Sequence, residues 1–217
     1  ARARDADTAA VLVAQGDLAR RQGDAGATVQ AYTRATHVAP LDDRGWFGLG
    51  SALTEREDTV PARAHLEKAL ALQPDAPGYR GELGTLETYA NRLGAAQDAS
   101  TQALQGNAAD YVAWTGQGLL YLKQGRAQDA LDAFLRAGVL EPRYARAKAY
   151  TAVAYYQLGR SQDAIDTLYQ ATQLDPKDPL PWQVESILRN DGGEPEAAIA
   201  AAREALGRLP YLKSLNP

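Results

Sequence analysis

The sequence AYYQLGRSQDAIDTLYQATQLDP, residues 154–176, has the pattern of two short amphipathic helices. Gly159 interrupts the apolar periodicity between them, and Pro176 ends it, as glycine and proline commonly do at helix boundaries. A hairpin of this size has an apolar face that it cannot bury by itself. The stretch therefore predicts a unit that is stable only when similar units pack against it.

The composition is that of a globular protein and excludes several kinds of partner and site. The chain has 217 residues, of which 45% are hydrophobic and 23% charged, and no apolar run approaches the roughly 20 residues of a membrane-spanning helix. The net charge is -4 with both signs interspersed, so we expect neither a nucleic-acid partner nor insertion into a membrane. The absence of cysteine excludes disulfides and thiol nucleophiles and leaves the compartment open.

The hairpin recurs with a fixed period, which is the spacing between Pro40 and Pro74. Prolines are separated by this period or by twice its length, at Pro40, Pro74, Pro142, Pro176 and Pro210. Tryptophan keeps the same phase at Trp46, Trp114 and Trp182, and glycine at Gly16, Gly50, Gly84 and Gly118. A second set of glycines, Gly23, Gly125, Gly159 and Gly193, lies near the middle of the period. Small residues at fixed positions predict close helix crossings, and the second set predicts the turn of each hairpin.

Trp46, Leu49, Gly50, Ala62 and Pro74 follow one another as in the tetratricopeptide repeat (TPR) signature, which the chain therefore resembles. The resemblance implies an all-α fold, a right-handed superhelical α-solenoid of six helix-turn-helix repeats. It also implies a single array over residues 1–217, and we expect residues 213–217 to be a tail at a truncation point. The expected repeats are residues 9–42, 43–76, 77–110, 111–144, 145–178 and 179–212.

Repeats three and six depart from the pattern. In repeat three the pair Leu93-Gly94 lies three residues after the usual turn position, so we expect a first helix that reaches Arg92 and a shortened second helix. In repeat six, Pro195 is suited to the first turn of the second helix.

No set of residues predicts catalysis, cofactor binding or metal binding. The two histidines, His37 and His65, have no neighbouring ligand at a spacing typical of a metal site, and we interpret both as surface residues. The glycine clusters at 45–50 and 78–84 do not form a phosphate-binding loop, and helix packing explains Gly50 and Gly84. We therefore expect that the chain is not an enzyme.

The resemblance implies that the first helices of the repeats line a concave groove. Some members of the family hold an acidic C-terminal peptide there with Lys, Arg and Asn side chains, but the groove positions of this chain do not carry that set. They carry an apolar stripe: Phe47, Leu119, Leu122, Tyr150, Val153, Tyr156, Val184 and Ile187. We predict that the stripe binds a peptide or helix of another protein. The alternative, that these side chains are core between neighbouring first helices, stays open.

Two functions are therefore expected. The first is a non-catalytic scaffold that binds a protein segment in its groove. The alternative is a periplasmic spacer or scaffold portion of a larger outer-membrane protein for polysaccharide export, secretion or pilus assembly. The alanine-rich composition with 18 Arg against 5 Lys suggests a bacterial source, and we favour the periplasm over the cytoplasm. Self-association is a further expectation, through apolar residues near the ends: Val11, Leu209, Tyr211 and Leu212.

Overall fold

A computed structural model describes residues 2–208, with side chains from residue 7 onward, and these residues form twelve α-helices and no strand. The helices are α1 (Arg2–Arg21), α2 (Ala25–Val38), α3 (Asp43–Glu55), α4 (Thr59–Leu72), α5 (Tyr79–Tyr89), α6 (Leu93–Gly106), α7 (Tyr111–Lys123), α8 (Ala127–Leu140), α9 (Ala145–Gln157), α10 (Ser161–Leu174), α11 (Leu180–Asp191) and α12 (Pro195–Arg208). Odd-numbered helices are the first helices of the repeats, and even-numbered helices are the second. The all-α class and the six helix-turn-helix repeats are confirmed. The expected tail at 213–217 and the apolar residues Leu209, Tyr211 and Leu212 lie outside the described residues.

The helices group into two compact units, Ala1–Gly116 (unit 1) and Gln117–Pro217 (unit 2), with the division inside α7. In unit 1, α2 packs on α1 and α3, and the core contains Tyr32, Leu49 and Leu66. In unit 2, α10 packs on α9 and α11, and Leu168 and Val184 belong to the core. The apolar surface of one hairpin is thus covered by the next, as the sequence predicts. The single array over residues 1–217 and the repeat boundaries stay predictions.

Glycines allow the two helices of a repeat to cross closely. A Cβ atom built on Gly50 would lie 2.7 Å from Cγ of Leu66 on the partner helix. A Cβ atom on Gly84 would lie 2.6 Å from Oγ of Ser100. Both distances are shorter than van der Waals contact, so any larger side chain would push the helices apart. The packing role expected for these two glycines is confirmed.

The turn between the two helices of each repeat contains one residue in the left-handed conformation. These residues are one period apart, with φ of 72° at Gly23, 59° at Glu57, 56° at Asn91, 73° at Gly125, 75° at Gly159 and 76° at Gly193. Four are glycine, which adopts positive φ without steric cost. The mid-repeat turn positions expected from the sequence are confirmed.

The expectation for repeat three is wrong. Helix α5 ends at Tyr89 and has 11 residues, whereas α6 begins at Leu93 and has 14. Asn91 supplies the left-handed residue, a conformation that asparagine tolerates better than most residues. Gly94 is therefore not needed for the turn and lies in the first turn of α6. In repeat six, the expectation is confirmed, since α12 begins at Pro195.

Asp110 joins the N-termini of two neighbouring first helices. One carboxylate oxygen accepts from the backbone N–H of Gly78 at 2.8 Å, next to the start of α5. The other accepts from the backbone N–H groups of Val112 and Ala113 at 3.0 Å, in the first turn of α7. A carboxylate at this end of a helix satisfies free N–H groups and interacts favourably with the helix dipole. This buried aspartate thus fixes how α5 and α7 lie side by side.

Candidate functional site

The first helices of unit 1 are connected by polar side chains. Arg20 of α1 donates from Nε to Oε1 of Glu55 on α3 at 2.9 Å and from Nη2 to Oγ of Ser51 at 3.2 Å. The Ser51 hydroxyl in turn donates to Oε1 of Glu82 on α5 at 3.2 Å. These groups therefore bond across α1, α3 and α5, and this face of unit 1 presents mixed charge.

Phe47, the one predicted stripe residue in unit 1, is half-buried against another aromatic ring. Its ring stacks on Tyr79 of α5, with centroids 4.1 Å apart and planes at 10°. The Tyr79 hydroxyl donates to Oδ2 of Asp43, and burial together with this carboxylate raises the pKa of Tyr79. Phe47 therefore contributes to the packing of α3 on α5. This packing leaves only part of its side chain accessible to a partner.

Three of the predicted stripe residues in unit 2 are buried. Leu119, Tyr150 and Val184 are each 8% exposed. The ring of Tyr150 stacks on Phe134 with centroids 5.6 Å apart, and Val184 belongs to a core cluster. For these three side chains the structure shows core packing, the alternative that the sequence left open.

The other four stripe residues keep accessible surface. Leu122, Val153 and Tyr156 are half-buried, and Ile187 is 56% exposed. Val153 and Tyr156 pack against the core cluster of unit 2, and the Tyr156 hydroxyl donates to Asp191 on α11. Three of these four residues, Val153, Tyr156 and Ile187, lie on α9 and α11, and we call them the unit 2 face, whereas Leu122 lies on α7.

Amide side chains accompany the unit 2 face. Gln157 at the end of α9 and Gln183 and Asn190 on α11 are all exposed. Each primary amide can donate and accept hydrogen bonds. The surface therefore combines a small apolar area with groups able to bond a peptide backbone.

Sequence reasoning missed a buried carboxylate in repeat three. Glu87 is 1% exposed, Arg63 of α4 contacts its Oε1, and Nε of Arg92 donates to its Oε2. The equivalent residue in repeat four is Tyr121, whose ring lies 4.2 Å from the guanidinium carbon of Arg126. Glu87 and Arg92 hold the same positions one period earlier. An ion pair in repeat three thus replaces the cation–π contact of repeat four. The sequence signal for this buried carboxylate was that Glu87 occupies a position where the TPR signature has an aromatic residue.

The two histidines differ in their surroundings. His37 is exposed, whereas His65 is half-buried and stacks on Trp46 with centroids 5.5 Å apart. Burial lowers the pKa of His65. Across residues 7–208, no group of three or more His, Cys, Asp or Glu side chains is arranged to hold a metal ion. Nor does any helix among residues 2–208 combine the length and the apolar character needed to cross a membrane.

A second feature that sequence reasoning missed is apolar surface on the second helices of unit 2. Val139 on α8 is 79% exposed and Tyr169 on α10 is 66% exposed. Leu135, 46% exposed, occupies the position one period before Tyr169. The recurrence of large apolar residues on the polar side of two amphipathic helices was the sequence signal.

Comparison with known proteins identifies the repeat. The family model described as "Tetratricopeptide repeat" matches residues 13–77, 82–139 and 127–179. The chain belongs to the tetratricopeptide repeat family. Proteins of this family are generally non-catalytic scaffolds for protein–protein interaction.

Solved TPR structures share the fold. A chain of the APC/C hetero-tetramer Cut9–Hcn1 superposes with a TM-score of 0.72 and 18% identity, over 94% of this chain and 40% of that one. A thermophilic TPR protein from Thermus thermophilus gives a TM-score of 0.69 and 19% identity, over 89% of this chain and 98% of that one. At these identities the likeness shows the fold alone.

One curated relative is similar in sequence. Cellulose synthase 1 operon protein C of Komagataeibacter xylinus is 27% identical over 131 residues, which are 60% of this chain. The match spans 10% of the length of that protein.

Proposed function

We propose that this TPR protein is a non-catalytic scaffold whose unit 2 face binds a segment of a partner protein. The observation that carries the proposal is the exposure of Ile187, 56% on α11, one period after Val153 on the neighbouring first helix. Large apolar side chains in line on adjacent helices are a common feature of peptide-binding surfaces.

The surface favours an extended segment over a helical one. An extended peptide has free backbone N–H and C=O groups, whereas a helix satisfies its own. The exposed amides of Gln157, Gln183 and Asn190 can bond such groups, while Ile187 and Val153 contact the apolar side chains of the segment. We therefore expect a ligand with alternating apolar residues and little net charge.

The proposal is tested with a peptide selected from a display library against the whole chain and measured by fluorescence anisotropy. Ile187→Glu places a charge in the apolar area and is expected to weaken binding at least about tenfold, or 1.4 kcal/mol. Val139→Glu on α8 is the matched control, since Val139 is also exposed but lies on a second helix. Loss of binding in the control with retention in Ile187→Glu would move the site to the second helices and contradict the proposal.

A second function is favoured by the similarity to Cellulose synthase 1 operon protein C. We propose as the alternative that the repeats are a periplasmic spacer in a larger protein of the outer membrane, for polysaccharide export, secretion or pilus assembly. In a spacer the number of repeats matters more than the surface. Deletion of residues 145–178, one full period, should then abolish export in the host, whereas Ile187→Glu should leave it unchanged. The opposite pattern would favour the binding function.

A further inference from the structure

We propose that two copies of this chain form a symmetric dimer through the second helices of unit 2, with α8 of one copy antiparallel to α8 of the other. The contact is made by Leu135 and Val139 on α8 and Tyr169 on α10, which we call the second-helix surface. None of these residues belongs to the unit 2 face, so the proposal does not depend on the proposed function.

The second-helix surface is apolar and accessible. Leu135 is 46% exposed, Val139 79% and Tyr169 66%. Leu135 and Val139 are four residues apart, so they lie side by side on one face of α8. Tyr169 holds the position of Leu135 one period later, and α8 and α10 both pack on α9. The three side chains together expose an area of about 300 Å², which residues 7–208 leave uncovered.

The repeat does not require apolar residues at these positions. The cores of α8 and α10 are formed by other side chains, such as Phe134 and Leu168, which are 0% and 2% exposed. Both helices belong to inner repeats, with further helices before and after them, so the neighbouring repeats are present and do not cover the surface. The position of Leu135 and Tyr169 is polar in the other four repeats, at Thr33, Glu67, Thr101 and Arg203. The apolar surface is therefore specific to α8 and α10.

Charged residues lie on both sides of the apolar side chains along each helix. On α8, Asp132 is exposed about one turn before Leu135, and Arg143 is exposed just after the helix ends. Glu141 lies near Arg143, but its Oε1 accepts from the backbone N–H of Arg143 at 3.1 Å. Along α10 the same arrangement recurs one period later, with Asp166 and Lys177.

A two-fold axis that passes α8 between Leu135 and Val139 makes this arrangement self-complementary. In an antiparallel pair, Leu135 of one copy then lies opposite Val139 of the second copy. Asp132 comes five residues before residue 137 and Arg143 six residues after it, so the carboxylate of one copy faces the guanidinium of the other. The same axis sets α10 against α10. Because both copies contribute the same surface, the contact is isologous and closes at two chains.

The size of the surface fits a weak dimer. Helices α8 and α10 have 14 residues each, so each is about 21 Å long and 10 Å wide, and the two present roughly 400 Å² in outline. A standard stable interface buries about 800 Å² on each partner. We therefore expect a dissociation constant in the micromolar range, and a second copy is the occupant that the charge pattern fits.

Sedimentation equilibrium of the full chain over about 5–300 µM tests the proposal. The wild type should pass from monomer to dimer without larger species. Val139→Lys places a charge in the centre of the contact and should weaken dimerisation at least about tenfold. Val60→Lys on α4 is the matched control and should dimerise like the wild type, since Val60 is also 79% exposed. Circular dichroism shows whether each variant folds, and Tyr169→Lys replaces Val139→Lys if the latter does not.

Charge reversal at low ionic strength tests the antiparallel arrangement. Asp132→Arg and Arg143→Asp each place like charges opposite one another, so each should weaken dimerisation roughly threefold to tenfold. An equimolar mixture of the two variants should form a dimer with one chain of each, because every facing pair then has opposite charges. The double variant Asp132→Arg/Arg143→Asp should dimerise like the wild type for the same reason.

Three results would overturn the proposal: a wild type that stays monomeric at about 300 µM, dimerisation that Val139→Lys leaves unchanged, or a double variant no better than the single ones. A monomeric chain in which Val139→Lys abolishes binding of a peptide selected against the chain would overturn it as well. The second-helix surface would then be covered by another protein rather than by a second copy.

Discussion

Glu57 occupies the turn between α3 and α4 with a φ of 59°, at the position where four other repeats have glycine. A left-handed backbone brings the Cβ atom of an ordinary residue close to the carbonyl oxygen and costs roughly 1–2 kcal/mol. The Glu57 side chain is exposed, while its backbone N–H donates to Thr54 at 3.0 Å within the turn. The Glu57 side chain therefore contributes little packing energy, and its backbone conformation is strained.

We predict that Glu57→Gly stabilises the chain and that Gly125→Ala destabilises it, each by about 0.5–1 kcal/mol after the entropy of the unfolded chain is included. Gly125 has a φ of 73° and nothing within 4 Å of an added Cβ atom, so its substitution reports backbone strain alone. Urea denaturation followed by circular dichroism measures both changes. A stabilising Gly125→Ala would show that the turn is not left-handed in solution.

His65 gives the stability of unit 1 a predictable dependence on pH. Burial holds its pKa in the folded state below the ordinary value of 6.5, so the unfolded state binds more protons near that pH. Stability should therefore fall as the pH drops through about 6.5 towards 5. Asp42, whose pKa is lowered mainly by its hydrogen bond with Arg44, loses its contribution only at more acidic pH.

The measurement is the melting temperature between about pH 7.5 and 5 for the wild type and His65→Gln. The variant should show a flatter profile than the wild type. Parallel profiles for the wild type and His65→Gln would assign the dependence to other groups.

At the residue scale, the sequence predicted conformations that one residue type favours strongly. The glycine turns and the proline at the start of α12 were predicted because backbone geometry selects those residues. The left-handed conformation of Asn91 was not predicted, because asparagine is a weaker sequence signal for this conformation than glycine. Glu87 was missed because its burial depends on Arg63 and Arg92, which approach it from α4 and from the start of α6.

At the element scale, α5 and the part of α7 that belongs to unit 1 pack backbone against backbone. A Cβ atom on Gly81 would lie 2.5 Å from the backbone N of Ala113, and one on Gly116 would lie 3.1 Å from the carbonyl oxygen of Gly81. The backbone cannot move aside as a flexible side chain does. The separation of these two helices is therefore set by the absence of side chains.

We predict that Gly81→Ala costs about 2–4 kcal/mol of folding free energy, because it forces α5 and α7 apart. Gly94→Ala on α6 is the control, since an added Cβ atom there has nothing within 4 Å. That control should stabilise the helix by about 0.5–1 kcal/mol. Chemical denaturation measures both, and a mild effect of Gly81→Ala would mean that the helices are less tightly packed than described.

The candidate site shows what helix periodicity does not determine. Tyr150 and Val153 are both apolar and three residues apart on α9, yet Tyr150 is 8% exposed and Val153 is half-buried. A first helix packs on its own second helix and on neighbouring repeats, so most of its circumference is apolar. The period assigns residues to the helix, but exposure depends on how close the adjacent first helices come.

At the scale of the whole molecule, the fold followed from the sequence because every contact that defines a repeat joins residues close in the chain. The repeating period determines the two helices of each hairpin, the close crossing between them and the packing on the next hairpin. A binding surface cannot be predicted from the sequence in the same way, since folding does not constrain which residues remain exposed. Leu135 and Tyr169 on the second helices illustrate this, because no packing requirement accounts for them.

The same organisation predicts that damage to one repeat stays local. Leu168, 2% exposed in the core of unit 2, contributes to its own repeat and to the next, so Leu168→Ala should cost about 2–5 kcal/mol there. Amide hydrogen exchange by mass spectrometry should show faster exchange in α10 and α11 and unchanged exchange in α2 to α4. Leu66→Ala, at the equivalent position of unit 1, should give the reverse pattern. Equal acceleration throughout residues 2–208 would instead mean that the chain unfolds as one cooperative body, and nearest-neighbour contacts would then not describe its stability.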